Sequence, residues 1–200
     1  MRSVSIIGLA SADLKASSPP VRSATMAATG QGRTSVRVNV TGTGKASVET
    51  GISVLDHLVS LLATYASFDI ALEVEPGNAD AEIVGAARAL GESLAAPLRA
   101  KGVRGHGAAI LPADEALANV VLEVSDRPAV FSNVDLSQAR VGGLATDVAA
   151  RFLDQLTESA GLTVHVRLIE GSDTQHVLEA IFKALGVALA EACRPRKDGQ

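Results

Sequence analysis

Two hundred residues, 47% of them hydrophobic, suffice to bury a core in one domain or two small ones. A net charge of −4 and 2% aromatic content without tryptophan exclude a basic nucleic-acid surface and a base-stacking platform, so the core must be built from Ala, Val, Leu and Ile. A single cysteine, Cys193, excludes an intramolecular disulfide and fits a reducing, cytoplasmic setting, and no apolar run reaches membrane-spanning length.

The chain opens with Arg2, the run Val4 to Leu9 and Ala10-Ser11-Ala12, a poor imitation of a signal peptide because it carries one charge and so short an apolar stretch. Residues 16–32 are rich in Ser, Pro, Ala and Gly without periodicity, so 1–32 reads as a flexible leader or a strap over a neighbouring subunit. Ser35 to Val40 alternates as a strand does and ends at the turn Thr41-Gly-Thr-Gly44. Ile52, Leu55, Leu58, Val59 and Leu62 form a helical stripe over 52–64, with His57 beside it. A strand is expected over 70–74, a turn at Pro76-Gly77-Asn78, and a long Ala-rich helix over 81–98. Val120 to Val124 opens a second set: a helix over 146–159, a strand over 162–169, a helix over 174–193, and a short tail, 194–200.

The second set repeats the first. Ala89-Leu90-Gly91 matches Ala184-Leu185-Gly186 at a shift of 95 (184 − 89), and the same shift pairs Asp80 with Gln175, Ala81 with His176, Val84 with Glu179 and Arg88 with Lys183. The expected fold is α+β: two tandem similar halves, 33–110 and 111–193, each a small mixed sheet backed by two helices.

The most informative stretch runs from Gly171 to Lys183. Gly171 and Asp173 suit the turn and N-cap of a helix, and Val177, Leu178, Ile181 and Phe182 give it one apolar face. Gln175 and Glu179, four residues apart, share a second face, with His176 at its edge. This fits a site mounted on a core element, and equally an ordinary amphipathic helix with a polar first turn.

Gly171, Asp173, Gln175, His176, Glu179, Ala180, Phe182, Lys183 and Ala184 resemble Gly-x-Asn-x-His-His-x-x-Glu-Ala-x-Phe-Lys-Ala of the imidazoleglycerol-phosphate dehydratase family, manganese enzymes of histidine biosynthesis. Three more stretches are similar to that family in the same order: Thr50-Gly-Ile-Ser-Val-Leu-Asp-His57, Pro112-Ala-Asp-Glu-Ala-Leu-Ala118 and Ser125-Asp-Arg-Pro128. The resemblance covers roughly residues 32–193. It implies the two-half fold, trimers that pack into a 24-mer, and metals held at subunit contacts by His-His-x-x-Glu helix starts and further His ligands.

On that resemblance the metal ligands are His57, His165, His176, Glu179 and Asp80; Glu179, Asp114 and Glu115 are the catalytic carboxylates; Arg127 and Lys183 bind the substrate's anion. One site would keep His165 and His176, with Asp80. The other would keep His57 and Glu179, with Gln175 as a weak neutral ligand. Several expected donors are replaced. The first half reads Asp80-Ala81-Glu82-Ile83-Val84 where His-His-x-x-Glu belongs, Gln175 stands for His, Gln31 for a Glu, and Gly105 for a phosphate-binding Arg. The family's Ser-Thr-Lys tail is absent. Each retained residue also has a plain structural role open to it, Asp114-Glu115 as a carboxylate pair at a helix start and Arg127 as a strand-end ion pair. The resulting expectation is a divergent dehydratase-like protein with an incomplete dimanganese site, partly occupied at most, acting as a homo-oligomer that is a trimer rather than a 24-mer. A working dehydratase, or an enzyme on another small phosphorylated or anionic molecule, are the alternatives. Neither nucleic acid nor a membrane is expected as a partner.

Overall fold

The computed structural model describes residues 34–135, 140–141, 144–145 and 147–196. The leader 1–32, Gln31, the Gly142-Gly143 pair and the last four residues lie outside the described residues.

The first half has strands β1 (Ser35–Asn39), β2 (Ala46–Glu49) and β3 (Asp69–Glu73), and helices α1 (Ser53–Ala66) and α2 (Ala79–Leu98). The second has β4 (His106–Ala113), β5 (Ala116–Val124), β6 (Ala129–Ser132), the short pair β7 (Arg140–Val141) and β8 (Leu144–Ala145), α3 (Asp147–Ala160), β9 (Leu162–Glu170) and α4 (Thr174–Cys193). The sheets run β1-β3-β2 and β4-β5-β9-β6. In each, an antiparallel neighbour (β1 or β5) and a parallel one (β2 or β6) flank the central strand, β3 or β9. The tandem α+β halves foreseen from the repeat are therefore present.

Strand alternation follows burial. β1 buries Val36 and Val38 and turns Ser35, Arg37 and Asn39 outward. The structure adds strands that periodicity did not mark. β2 is four residues with no fully buried position, and β4 runs Ala108-Ala109-Ile110-Leu111 on an edge without alternating, so neither shows the period of a strand. Asp114-Glu115 opens no helix of its own. It is the tip of the β4–β5 hairpin, with Ala113 opposite Ala116 and Asp114 in the left-handed region at φ 46°.

The halves share one core. α1 packs on α4 and α2 on α3, so each helix pair joins the two repeats. Both crossings rest on a glycine. A Cβ at Gly91 would lie 2.8 Å from the Leu156 carbonyl oxygen of α3, and one at Gly186 would lie 2.5 Å from the Leu62 carbonyl oxygen of α1. Phe152 of α3 and Phe182 of α4, both fully buried, meet with ring centroids 5.8 Å apart. The structure thus sets the starts of α1 and α4 side by side, and likewise those of α3 and α2.

Candidate functional site

The loop before α1 closes on itself. Buried Thr50 donates its N–H (2.8 Å) and its hydroxyl (2.5 Å) to Asp56 Oδ1, while Ile52 at the N-cap offers no side-chain bond. Gly51 turns this corner at φ 81°. The Thr-Gly-Ile…Asp-His motif is therefore a clasp: Asp56 points back to its own loop, and His57 faces α4.

There Glu179 gathers three partners. Its Oε1 accepts from His57 Nε2 (3.1 Å) and Gln175 Nε2 (3.0 Å), and Lys183 Nζ lies 4.0 Å from Oε2. Lys183 also stands 5.6 Å from the centre of the Tyr65 ring. Burial pushes the Glu179 carboxyl up, but the bonds from Gln175 and His57 and the nearby charges outweigh it, and the net shift is downward.

A second group forms at the start of α4. Asp173 caps the helix through the N–H groups of Gln175 and His176. Glu115 reaches across from the β4–β5 tip: its Oε1 accepts from the N–H of Asp173 (2.9 Å) and Ser172 (3.4 Å), and its Oε2 meets His176 Nδ1 at 2.5 Å. Asp114 Oδ2 lies 3.3 Å from His176 Nε2. The close approach depends on Gly171, at φ 135°, where a Cβ would sit 2.7 Å from Ala116 Cβ. The Asp173 N–H, then the His176 ring, draw the Glu115 carboxyl down to about 2, and Glu115 in turn raises the His176 pKa. The acidic pair foreseen as a possible helix start thus serves a helix N-terminus other than its own.

Linkage then gives a pH window. Glu115 ionises below its ordinary 4.5, so its contribution is present above pH 4.5 and is lost as pH falls toward 2. His176 holds its proton above its ordinary 6.5, so its contribution is complete below that pH and is lost as pH rises through the raised value. Wild-type stability should therefore fall on both sides of a plateau between these limits, and Glu115→Gln should flatten both slopes. Urea melts at acidic, mildly acidic and alkaline pH check this; identical profiles would show that the contact contributes nothing.

The other predicted residues are placed apart. His165 lies exposed on β9, stacked on Phe131 of β6 at 4.8 Å and 21°. Asp80, at the start of α2, pairs with Arg151 of α3 at 3.1 Å. Arg127 uses its main chain, with Ser125 and Thr163 as partners, and its guanidinium has no partner among the described residues. Gly105, at φ 72°, links the C-terminus of α4 to β5: its N–H donates to the Ala192 carbonyl, and its carbonyl accepts from Val124.

Among the described residues no three His, Cys, Asp or Glu side chains are set to hold a metal ion within one chain. At His176 each ring nitrogen faces one carboxylate, Asp114 or Glu115. Arg151 and Tyr65 were missed by sequence reasoning. A signal for Arg151 was available, since α1 and α3 are offset by 94 residues (147 − 53), a shift that sets Arg151 opposite His57.

The model of the family "Imidazoleglycerol-phosphate dehydratase" matches residues 50–189. A protein of that name from Syntrophobacter fumaroxidans is 39% identical over 171 residues, covering 83% of this chain and 86% of its own length. One from Clostridium botulinum (strain Kyoto) is 35% identical over 170 residues, with 82% and 86% covered. Among solved structures, the Staphylococcus aureus imidazoleglycerol-phosphate dehydratase superposes with a TM-score of 0.77 at 27% identity, covering 86% of this chain and 98% of that one. The Pyrococcus furiosus protein in complex with (S)-C348 gives 0.73 at 26% identity, with 86% and 95% covered. Motif order, two-half architecture and coverage agree across the greater part of the sequence, and on that ground the chain belongs to the imidazoleglycerol-phosphate dehydratase family.

Proposed function

We propose that this chain is a divergent imidazoleglycerol-phosphate dehydratase-like protein, a cytoplasmic member of a lyase family of histidine biosynthesis whose dimanganese site is incomplete. The observation that carries this reading is the ion pair between Asp80 and Arg151. Asp80 stands where the family resemblance calls for a ligating histidine, and its carboxylate is neutralised by a cation that has no lone pair to offer a metal. Val84, one turn on, brings no donor.

Manganese suits the donors at the start of α4 better. Imidazole and carboxylate donors fit that ion, and His57 with Glu179 and His176 with Asp114 and Glu115 are such sets, whereas His165 stands apart on β9. When bound, the metal would activate the substrate's imidazole ring as a Lewis acid. The chain's own share is then orientation: Asp56 fixes the loop before His57, Gln175 and Lys183 hold Glu179, and Glu115 holds the His176 ring. Arg127 and Lys183 offer cations to a small phosphorylated or anionic molecule.

A working dehydratase is the second reading. It is favoured by the 39% identity to a dehydratase over 83% of the chain and by the intact contact of His176 with Asp114 and Glu115. Purified protein incubated with manganese and imidazoleglycerol phosphate separates the two. Fewer than two manganese per chain by elemental analysis, with no product, supports the first; two tightly held ions and turnover support the second.

The same reading extends to assembly. On the outer face of the second sheet Ile110, Val121 and Phe131 stand exposed, a surface suited to self-association. Such apolar contacts need no metal, so a trimer is expected rather than a metal-bridged 24-mer. Light scattering should give a small particle unchanged by chelator. A 24-mer that falls apart on chelation would mean that the bridging site is alive.

A further inference from the structure

The two helix crossings are copies of each other. α1 maps onto α3 at a shift of 94 (147 − 53), and α2 onto α4 at 95 (174 − 79). The caps repeat as well: Asn78 and Asp173 each accept from the N–H two residues on, and Ser67 and Gly161 each follow their helix with positive φ, 56° and 66°. Gly91 and Gly186 occupy equivalent points of closest approach.

The polar rims of the crossings differ. At α1/α4, His57 and Gln175 meet on Glu179. At the equivalent places of α3/α2 stand Arg151, Asp80 and Val84. Arg151 Nη1 meets Asp80 Oδ1 at 3.1 Å, while its Nε and Nη2 each lie 2.9 Å from Asp147 Oδ2. One guanidinium thus spans two carboxylates from two helices. It stays protonated at any working pH, and its fixed charge repels a divalent ion at that spot.

We propose, on the reading that the dimetal site is incomplete, that Arg151 is a resident cation standing in for a divalent ion at the α2/α3 crossing. It pairs with both Asp80 and Asp147, joins α2 to α3 through side chains, and makes this crossing both independent of metal and closed to it. Arg151→His should reverse the exchange, because an imidazole would return to the place equivalent to His57, with Asp80 and Asp147 beside it as free carboxylates.

The test is a manganese titration of the full chain, followed by the paramagnetic resonance signal of the free ion. Arg151→His should bind one more manganese per chain than wild type, and Arg151→His/Asp80→Asn should lose that gain. Thermal melting gives an independent reading: manganese should raise the Tm of Arg151→His by several degrees more than that of wild type, as a ligand bound only by the folded state does. Equal manganese counts and equal Tm responses for wild type and Arg151→His would overturn the inference. So would a wild-type chain that loses one manganese on Asp80→Asn, since Asp80 would then already be a ligand. Two manganese per wild-type chain, unaffected by Asp80→Asn, would instead sink the parent reading of an incomplete site.

Discussion

Expressed in a histidine auxotroph that lacks its own imidazoleglycerol-phosphate dehydratase, this gene should restore growth no better than an empty vector. The argument rests on what has changed together. On the family resemblance, Ala81, Val84 and Gln175 stand where metal donors are expected, Gln31 where a carboxylate is, and Gly105 where a phosphate-binding arginine is. Losing a single partner one shell out from a metal already costs about 10–100-fold in affinity or activity, and losing ligands themselves costs more. A cation now sits beside Asp80, so an incoming manganese would meet repulsion at the first-half helix start instead of a vacant donor. On the proposed reading these differences touch metal, acid–base chemistry and anion grip, and act on one transition state, so they should compound. The Glu115–His176 contact aligns one imidazole but supplies no donor at Ala81 or Val84. Growth without added histidine, at a rate near that given by an intact family member, would sink this expectation and favour the working dehydratase. Confirming soluble expression in the same cells keeps a negative result meaningful.

Gly186→Ala should destabilise the protein, while Gly85→Ala, a formally identical change in another helix, should stabilise it. Both sit inside helices, where alanine is favoured over glycine by roughly 1 kcal/mol. At Gly85 the nearest atom to a new Cβ is Thr34 Oγ1 at 3.5 Å, an ordinary contact, so the propensity gain should survive at about 0.5–1 kcal/mol. At Gly186 the new Cβ meets the Leu62 carbonyl oxygen at 2.5 Å and the Ala66 nitrogen at 3.2 Å. Those are backbone atoms of α1 and cannot swing aside, so the helices must part. Forcing a methyl group into such packing costs about 1–3 kcal/mol, occasionally more, enough to reverse the sign. For a chain of this size each kcal/mol moves the Tm by about 2–4 °C. Differential scanning calorimetry of the two variants beside wild type decides it; a Gly186→Ala protein as stable as Gly85→Ala would mean that α1 and α4 do not approach as described. The same variant reports on the site, because His57 and Glu179 face each other across this crossing.

Much of the architecture was legible in the sequence because it rests on local periodicity. The stripe Leu55, Leu58, Val59 and Leu62 specifies α1, the run from Val177 to Phe182 specifies α4, and the shift of 95 between Leu90-Gly91 and Leu185-Gly186 announces the duplication. The helix cap at Asp173 is equally local, since it closes on an N–H two residues away, and Asn78, read as part of a turn, caps α2 in the same way. Ordered motifs from Thr50 to Lys183 carried the family, because four matches in sequence are far more specific than one.

Partnership was decided only in three dimensions. Nothing near Glu115 in the sequence points to His176, 61 residues on. The hairpin tip and the start of α4 meet because β5 pairs with β9 and Gly171 permits a close backbone approach. β2 and β4 escaped notice because a short or edge strand needs no apolar alternation of its own when its backbone hydrogen bonds are supplied by β3 or β5. Arg151 is the sharpest case. Along the chain it is an ordinary arginine on an exposed helix face, four residues from Asp147. Only the packing of α2 on α3 brings it to Asp80, and only the comparison of that crossing with its copy at α1 and α4 shows a guanidinium where the other half keeps an imidazole. Side-chain chemistry is written residue by residue, but which charges face each other depends on helix crossings set by two glycines 95 residues apart (186 − 91), and that is a property of the folded core alone.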